Sequence, residues 1–438
     1  MSRPPDAGPV STGPIETPAG ARKPRIGEFD FDRSPFIVIW EVTQACSLAC
    51  LHCRAEARPC RDAGELNIEE AFALLDETRR FGPVLFVITG GDPLERPDIF
   101  DIIRHGSEIG LRMTMTPAGT EKMTRETILR MKEAGLVRLA VSLDGHSCES
   151  HDKFRGVEGS FDWTMDSIRI ARGIGLEVQV NTTVTRFNQD RIRKIAEMLA
   201  GEDIALWSVF FLVPVGRGVK HYMVTPKKHE AVFHELYDLG RTMPFDIKTT
   251  AAQHFRRVLM QRAALDRRRG APGNGGGPRP LASAPDFSAN PAGNGPTGTG
   301  PAGAGRAAKG VNDGMGFVFI SHLGDIMPSG FLPVAAGNVR RDSLSGIYRD
   351  HEMFRALRQP KGYAGKCGYC DFQDVCGGSR SRAWAVSGNY LASEPYCTYR
   401  PRRPGSDRPA SNTYRGEAHA EAGALSRDEV AAALSEAD

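Results

Sequence analysis

Between residues 36 and 213 the chain alternates short β-rich runs with amphipathic helical stretches, a pattern few folds accept. The runs are FIVIWEV (36–42), VLFVIT (84–89), LRMTMT (111–116), VRLAVSL (137–143), LEVQVNTTV (176–184) and LWSVFFLV (206–213). Six βα units in series predict an α/β protein with a parallel sheet and helices outside, closed or partial as a barrel. Functional groups in such a barrel gather at the carboxyl ends of the strands. The helix ends are legible as well. In NIEEAFALLDETRRFGP, Asn67 caps, Glu70 answers it three residues on, Ile68, Phe72 and Leu75 share a face, and Gly82-Pro83 stops the helix. In PDIFDIIRHGSEIG, Pro97 fits the first turn, Ile99, Ile102, Ile103 and Ile109 form a stripe, and Gly110 takes the left-handed C-terminal position.

Nine cysteines stand in the 438 residues. The N-terminus MSRPPDAGPVSTGPIETPAG lacks the apolar stretch of a secretory signal, and no apolar run is long enough to span a bilayer, so a cytoplasmic protein is expected. Thiols stay reduced there, and metal explains clustered cysteines better than disulfides. Cys46, Cys50 and Cys53 form one group, Cys367, Cys370, Cys376 and Cys397 another, while Cys60 and Cys148 stand alone. A net charge of only +3 demands neither nucleic acid nor a membrane surface as partner.

The front group, C-x3-C-x2-C, follows the first strand and offers three thiolates. A cubane iron-sulfur cluster takes four ligands, so one iron is left open to a small molecule. Zinc is the alternative, but a closed zinc site takes four ligands with paired spacing. The segment CSLACLHC resembles the defining motif of the radical S-adenosylmethionine (SAM) superfamily. That resemblance implies a 4Fe-4S cluster whose free iron chelates SAM, one-electron cleavage, and a 5′-deoxyadenosyl radical that abstracts hydrogen from a substrate. It also implies a partial (β/α)6 TIM-like barrel, and a reductant such as ferredoxin or flavodoxin.

Further segments carry the resemblance. Thr89-Gly90-Gly91-Asp92-Pro93 is similar to the family's GGEP segment beside the SAM amino group, with Asp92 where Glu is usual. Ser142-Leu143-Asp144-Gly145 is similar to the SLDG segment that lies by SAM, and Arg155 to the arginine that pairs with the SAM carboxylate. Asn181 and Thr183 on the fifth strand are further candidates, with a register not readable from alternation alone. Thr116-Pro117-Ala118-Gly119 departs from the TNG of relatives. No catalytic side chain beyond the cluster is assigned.

The back group resembles the SPASM module, or its smaller twitch-like form, which holds auxiliary iron-sulfur clusters. The cysteines of one auxiliary 4Fe-4S cluster are complete, with four protein ligands. Those of a second are missing, since Ser329 and Arg380 occupy positions where relatives have cysteine. A zinc ribbon fits the same spacing. Five segments are expected: a disordered leader (1–34), the barrel and following helices (35–260), a Gly/Pro-rich insertion (261–310), the cluster module (311–400) and a flexible tail (401–438) ending in a short helix, LSRDEVAAALSEA. The stretch from Cys367 to Tyr399 is similar to haem and haem d1 pathway enzymes, which makes a tetrapyrrole the expected substrate. Arg217, His221, Lys248, His254, Arg256 and Arg257 are candidate cations for its carboxylates, although His254 is expected to pack or cap. A peptide maturase, or a non-catalytic iron-sulfur or zinc protein, are the alternatives.

Overall fold

A computed structural model describes residues 30–268, 310–405 and 410–412. The six expected strands are present as β1 (Ile37–Glu41), β2 (Leu85–Thr89), β3 (Arg112–Met115), β4 (Arg138–Ser142), β5 (Glu177–Val184) and β6 (Leu206–Phe211). A seventh, β7 (Asp246–Thr250), extends the series and pairs in parallel with β6. Its sequence DIKTT carries one apolar residue facing the core, Ile247, so alternation does not announce it. Between the strands run α1 (Ile68–Arg79), α2 (Ile99–Glu108), α3 (Arg125–Glu133), α4 (Cys148–Arg155), α5 (Ser160–Gly173), α6 (Ile192–Leu199) and α7 (Pro226–Leu239), and α8 (Phe255–Arg268) follows β7.

The caps explain where helices start. Asn67 accepts from the Glu70 N–H while the Glu70 carboxylate accepts from the Asn67 N–H, and Gly110 is left-handed at φ +85°. Pro97 is a correction: the cap residue of α2 is Asp98, so the proline precedes the helix.

The C-terminal residues are not a separate layer. β8 (Phe317–Ile320) pairs in parallel with β1, β9 (Asp325–Met327) turns back at left-handed Gly324, and β10 (Gly337–Asn338) follows. One ten-stranded sheet results, in the order β10-β9-β8-β1-β2-β3-β4-β5-β6-β7, parallel from β8 to β7. The expected boundary at 311 therefore cuts through this sheet. Val318, Ile320 and Ile326 join the same core as Val38 and Trp40 because a lone hairpin would leave them in water. The expected leader also shortens: Phe31 is buried, and its carbonyl accepts from the Tyr348 hydroxyl. Beyond β10 lie α9 (Leu344–Asp350), α10 (Glu352–Leu357), α11 (Arg380–Ser387) and a small pair, β11 (Tyr399–Arg400) with β12 (Ser411–Asn412). Most of the insertion and the tail, its expected helix included, lies outside the described residues.

Register fixes two faces. Val38, Phe86, Met113, Leu139, Val178, Trp207 and Ile247 share one, packed under the helices as the main core. The other carries a polar row from β4 onward, where Ser142, Asn181, Ser208 and Lys248 stand side by side across four strands. A parallel sheet normally reads as apolar on both faces. Polar groups along one face mark it for a ligand.

Candidate active site

The loop from Thr43 to Arg58 leaves β1 at its carboxyl end and carries Cys46, Cys50 and Cys53. It is pinned by the Cys46 N–H to the Arg58 carbonyl at 2.8 Å and by the Leu51 N–H to the Phe154 carbonyl at 3.1 Å. The sulfurs already receive donors. The Leu48 N–H points at Cys46 Sγ (3.4 Å), the Ala57 N–H at Cys53 Sγ (3.4 Å) and Arg155 Nη1 at Cys50 Sγ (3.7 Å). Burial pushes the Cys46 thiol up to about 12, so a thiolate there requires a metal's positive charge.

Gly90 and Gly91 follow β2 and lie directly under this loop. A Cβ on Gly91 would stand 2.4 Å from the Ala45 carbonyl oxygen, and one on Gly90 2.7 Å from that of Thr43. The Gly91 and Asp92 N–H groups donate to Thr43 and Ala45 carbonyls at 2.7 and 2.6 Å. The glycines are thus required by the cysteine loop itself. Gly91→Ala is expected to cost about 1–3 kcal/mol through this backbone overlap. The check is thermal unfolding of the purified chain with iron content measured alongside; both should fall.

Asp92 is fully buried and ties three segments together. Its carboxylate accepts from the Leu94 N–H, the Ala118 N–H and the Thr120 hydroxyl, and burial holds its pKa above the ordinary value. Pro93 opens the single helical turn that Asp92 caps. The segment 116–119, which departs from relatives, is thereby bound to the GGDP turn.

After β4, Asp144 is buried against Arg155, with the carboxylate 2.6 Å from Nη2, and it also accepts from the Thr183 N–H at 2.6 Å. Burial opposes both charges, yet each holds the other ionised: Asp144 lies below its usual range and Arg155 above. Arg155 is the last residue of α4, which the Ser147–Ser150 capping box starts and left-handed Gly156 ends against Ala49. Its Nε is buried without a partner among the described residues, as are Arg217 Nη2 and His52 Nδ1. His52 stacks on Phe154 at 4.5 Å and burial depresses it to about 4. Three unsatisfied polar atoms around three thiols fit a site built for a polar group.

Register settles what alternation could not. Asn181 and Thr183 share the face opposite Val178, Val180 and Val184, and Asn181 lies beside Ser142. The expected carboxylate-binding cations disperse. Arg217 binds the Cys50 and Ala57 carbonyls; Arg256 binds those of Val375 and Val311; Arg257 pairs with buried Glu230; His221 is exposed beside Arg186. Lys248 stands on the polar face, pushed down by burial to about 8. The role of Arg217 was missed because a loop 160 residues away in sequence supplies its partners.

The four back cysteines line one cavity together with His254 and Arg257 at the start of α8. The Glu394 N–H points at Cys367 Sγ and the Gly378 N–H at Cys376 Sγ, both at 3.3 Å. Burial pushes Cys370 up to about 12 and holds Cys376 well above the ordinary thiol value. Where a second auxiliary cluster would need cysteines, Ser329 contacts Ser381, whose N–H donates to buried Asp313. Arg380, fully buried, donates to the Tyr390 and Ala392 carbonyls and reaches Cys367 Sγ at 3.8 Å. Arg382 latches this module to the strands, donating to the carbonyls of Phe211, the last residue of β6, and Ala251, just past β7. Cys60 and Cys148 are exposed.

Residues 40–199 match the radical SAM superfamily. The chain is 38% identical over 85% of its length, and 89% of the relative's, to the AdoMet-dependent heme synthase of Oleidesulfovibrio alaskensis. The chain is a radical SAM enzyme. It is also 31% identical to the Fe-coproporphyrin III synthase of Methanosarcina barkeri, over 84% of this chain and 89% of that one. Among solved structures, Streptococcus suis SuiB bound to precursor peptide SuiA superposes with a TM-score of 0.59 at 16% identity, covering 83% of this chain and 76% of that one. AdoMet-bound anSMEcpe gives 0.57 at 14%, covering 83% and 94%. Likeness at that identity shows the fold alone. Among the described residues of this radical SAM enzyme, no helix is long and apolar enough to cross a membrane.

Proposed function

We propose that this radical SAM enzyme modifies a tetrapyrrole. The observation that carries this is the 38% identity, spread over 85% of the chain, to an AdoMet-dependent heme synthase. Relatives named Fe-coproporphyrin III synthase and Pre-heme d1 synthase align over 84% and 82% of this chain. The polar face supports the reading, because a substrate carboxylate there would offset the burial that pushes Lys248 down to about 8.

Cys46, Cys50 and Cys53 would hold a 4Fe-4S cluster at the open mouth of a partial barrel. Bound there with SAM, that cluster supplies hydrogen abstraction from carbon. Gly90, Gly91, Asp92 and Pro93 would border SAM on one side, and Ser142, Asp144, Arg155 and Asn181 on the other. The tie between Asp144 and Arg155 presents the guanidinium in one orientation, with Nε still able to donate. Cys367, Cys370, Cys376 and Cys397 would hold a saturated auxiliary 4Fe-4S cluster. Iron and sulfide content of the reconstituted chain separates this cluster from a zinc site of the same spacing. The electron would come from a ferredoxin or flavodoxin.

The test is anaerobic turnover of the reconstituted full chain with dithionite, SAM and iron coproporphyrin III, the tetrapyrrole one relative is named for. Tetrapyrrole should be consumed in proportion to the 5′-deoxyadenosine formed. Equal 5′-deoxyadenosine with and without it, and tetrapyrrole recovered unchanged, would overturn the proposal.

A further inference from the structure

His254 sits between Thr250, the end of β7, and Phe255, the start of α8. It is 1% exposed, and neither ring nitrogen has a hydrogen-bond partner among the described residues. Aromatic packing fixes the ring, parallel to His229 at 5.8 Å and edge-on to Phe233 at 4.7 Å. Leaving one buried N–H unmade costs about 1–3 kcal/mol, a large fraction of a folded protein's margin. Packing alone does not explain an imidazole here, since an apolar side chain would pack against the same rings without the penalty.

The cavity His254 lines is the one lined by Cys367, Cys370, Cys376 and Cys397. Cys367 and Cys376 already receive backbone N–H groups, and Cys367 also the Arg380 guanidinium. Donors converge on sulfur in this site, and among the described residues lining the cavity His254 and Arg257 Nε are buried donors whose acceptors are not in the protein; of the two, only His254 has no other hydrogen bond to hold it there.

We propose that His254 donates a ring N–H to a sulfur of the cluster these four cysteines hold, and so raises its reduction potential. The inference rests on the auxiliary cluster proposed above. A donor to sulfur stabilises the more negatively charged, reduced cluster, which is how hydrogen bonds tune such potentials. His254 is then a positioning and tuning residue at the junction of barrel and module, not a catalytic one.

The test uses the full chain carrying Cys46→Ala, Cys50→Ala and Cys53→Ala, so that the auxiliary cluster gives the only signal in a potentiometric titration read by electron paramagnetic resonance. His254→Phe should lower the potential by about 59 mV, a tenfold shift in the one-electron equilibrium. His254→Gln, which keeps an N–H donor, should recover more than half of that shift. An unshifted potential in a His254→Phe chain that retains its iron overturns the proposal. Should that variant lose its iron, the triple-alanine chain with His254 intact, labelled with 15N-histidine, decides: pulsed resonance of its reduced cluster must show a histidine nitrogen coupling, and its absence overturns the proposal. A triple-alanine chain that binds zinc or no metal refutes the auxiliary cluster instead, and is recognised before any His254 variant is made.

Discussion

Replacing Cys46, Cys50 or Cys53 with alanine is expected to abolish 5′-deoxyadenosine formation and to lower the iron of the reconstituted chain from about eight to about four atoms. The backbone predicts why one sulfur suffices for the loss. Each sulfur has its own donor, from Leu48, Ala57 or Arg155, so the three are held separately and none can stand in for another. Loss of one leaves two thiolates, too few to hold a cubane and still offer one open iron. The matching change at Cys376 should instead remove the other four irons while SAM cleavage driven by dithionite persists at a measurable rate. Iron counts and product assays on the two sets separate the sites. Cleavage surviving in Cys50→Ala would refute the assignment.

What could be seen in the sequence follows from which interactions are local. Six strands were legible because their apolar residues alternate or run together, and the Asn67–Glu70 capping box because its parts lie three residues apart. Strand β7 was not, since its polar face carries Lys248 and Thr250 and its core face sets Thr249 beside Ile247, which leaves one apolar residue in five. Nor was the pairing of β8 with β1, whose register joins Ile39 to Phe319 across 280 residues of sequence. The cysteine motifs were legible as motifs, but their surroundings were not. Gly91 reads as a residue clearing space for a ligand, whereas its missing side chain clears space for the Ala45 carbonyl. Arg217 and Arg257 read as cations awaiting a carboxylate, whereas the fold consumes one on the cysteine loop and the other on Glu230. A charged side chain gives no sign in one dimension of which partner tertiary structure will bring it.

Arg155→Met is expected to lower stability by about 3–5 kcal/mol, the usual cost of removing one partner from a buried ion pair. Asp144 then stays 2% exposed with its charge unmatched, keeping only the Thr183 N–H and a distant His52. The double change Arg155→Met with Asp144→Asn removes both charges and should regain most of that stability, because two neutral groups lose little on burial beside each other. Activity should not follow. If Arg155 also binds the SAM carboxylate, the double variant folds, retains the cluster, and binds SAM at least tenfold more weakly, which unfolding curves and equilibrium binding measure independently. Recovery of SAM affinity together with stability would make Arg155 a purely structural partner of Asp144. The Arg155→Lys variant sharpens the distinction. Lysine restores a charge beside Asp144 but not the flat fork of donors, so stability should return further than binding.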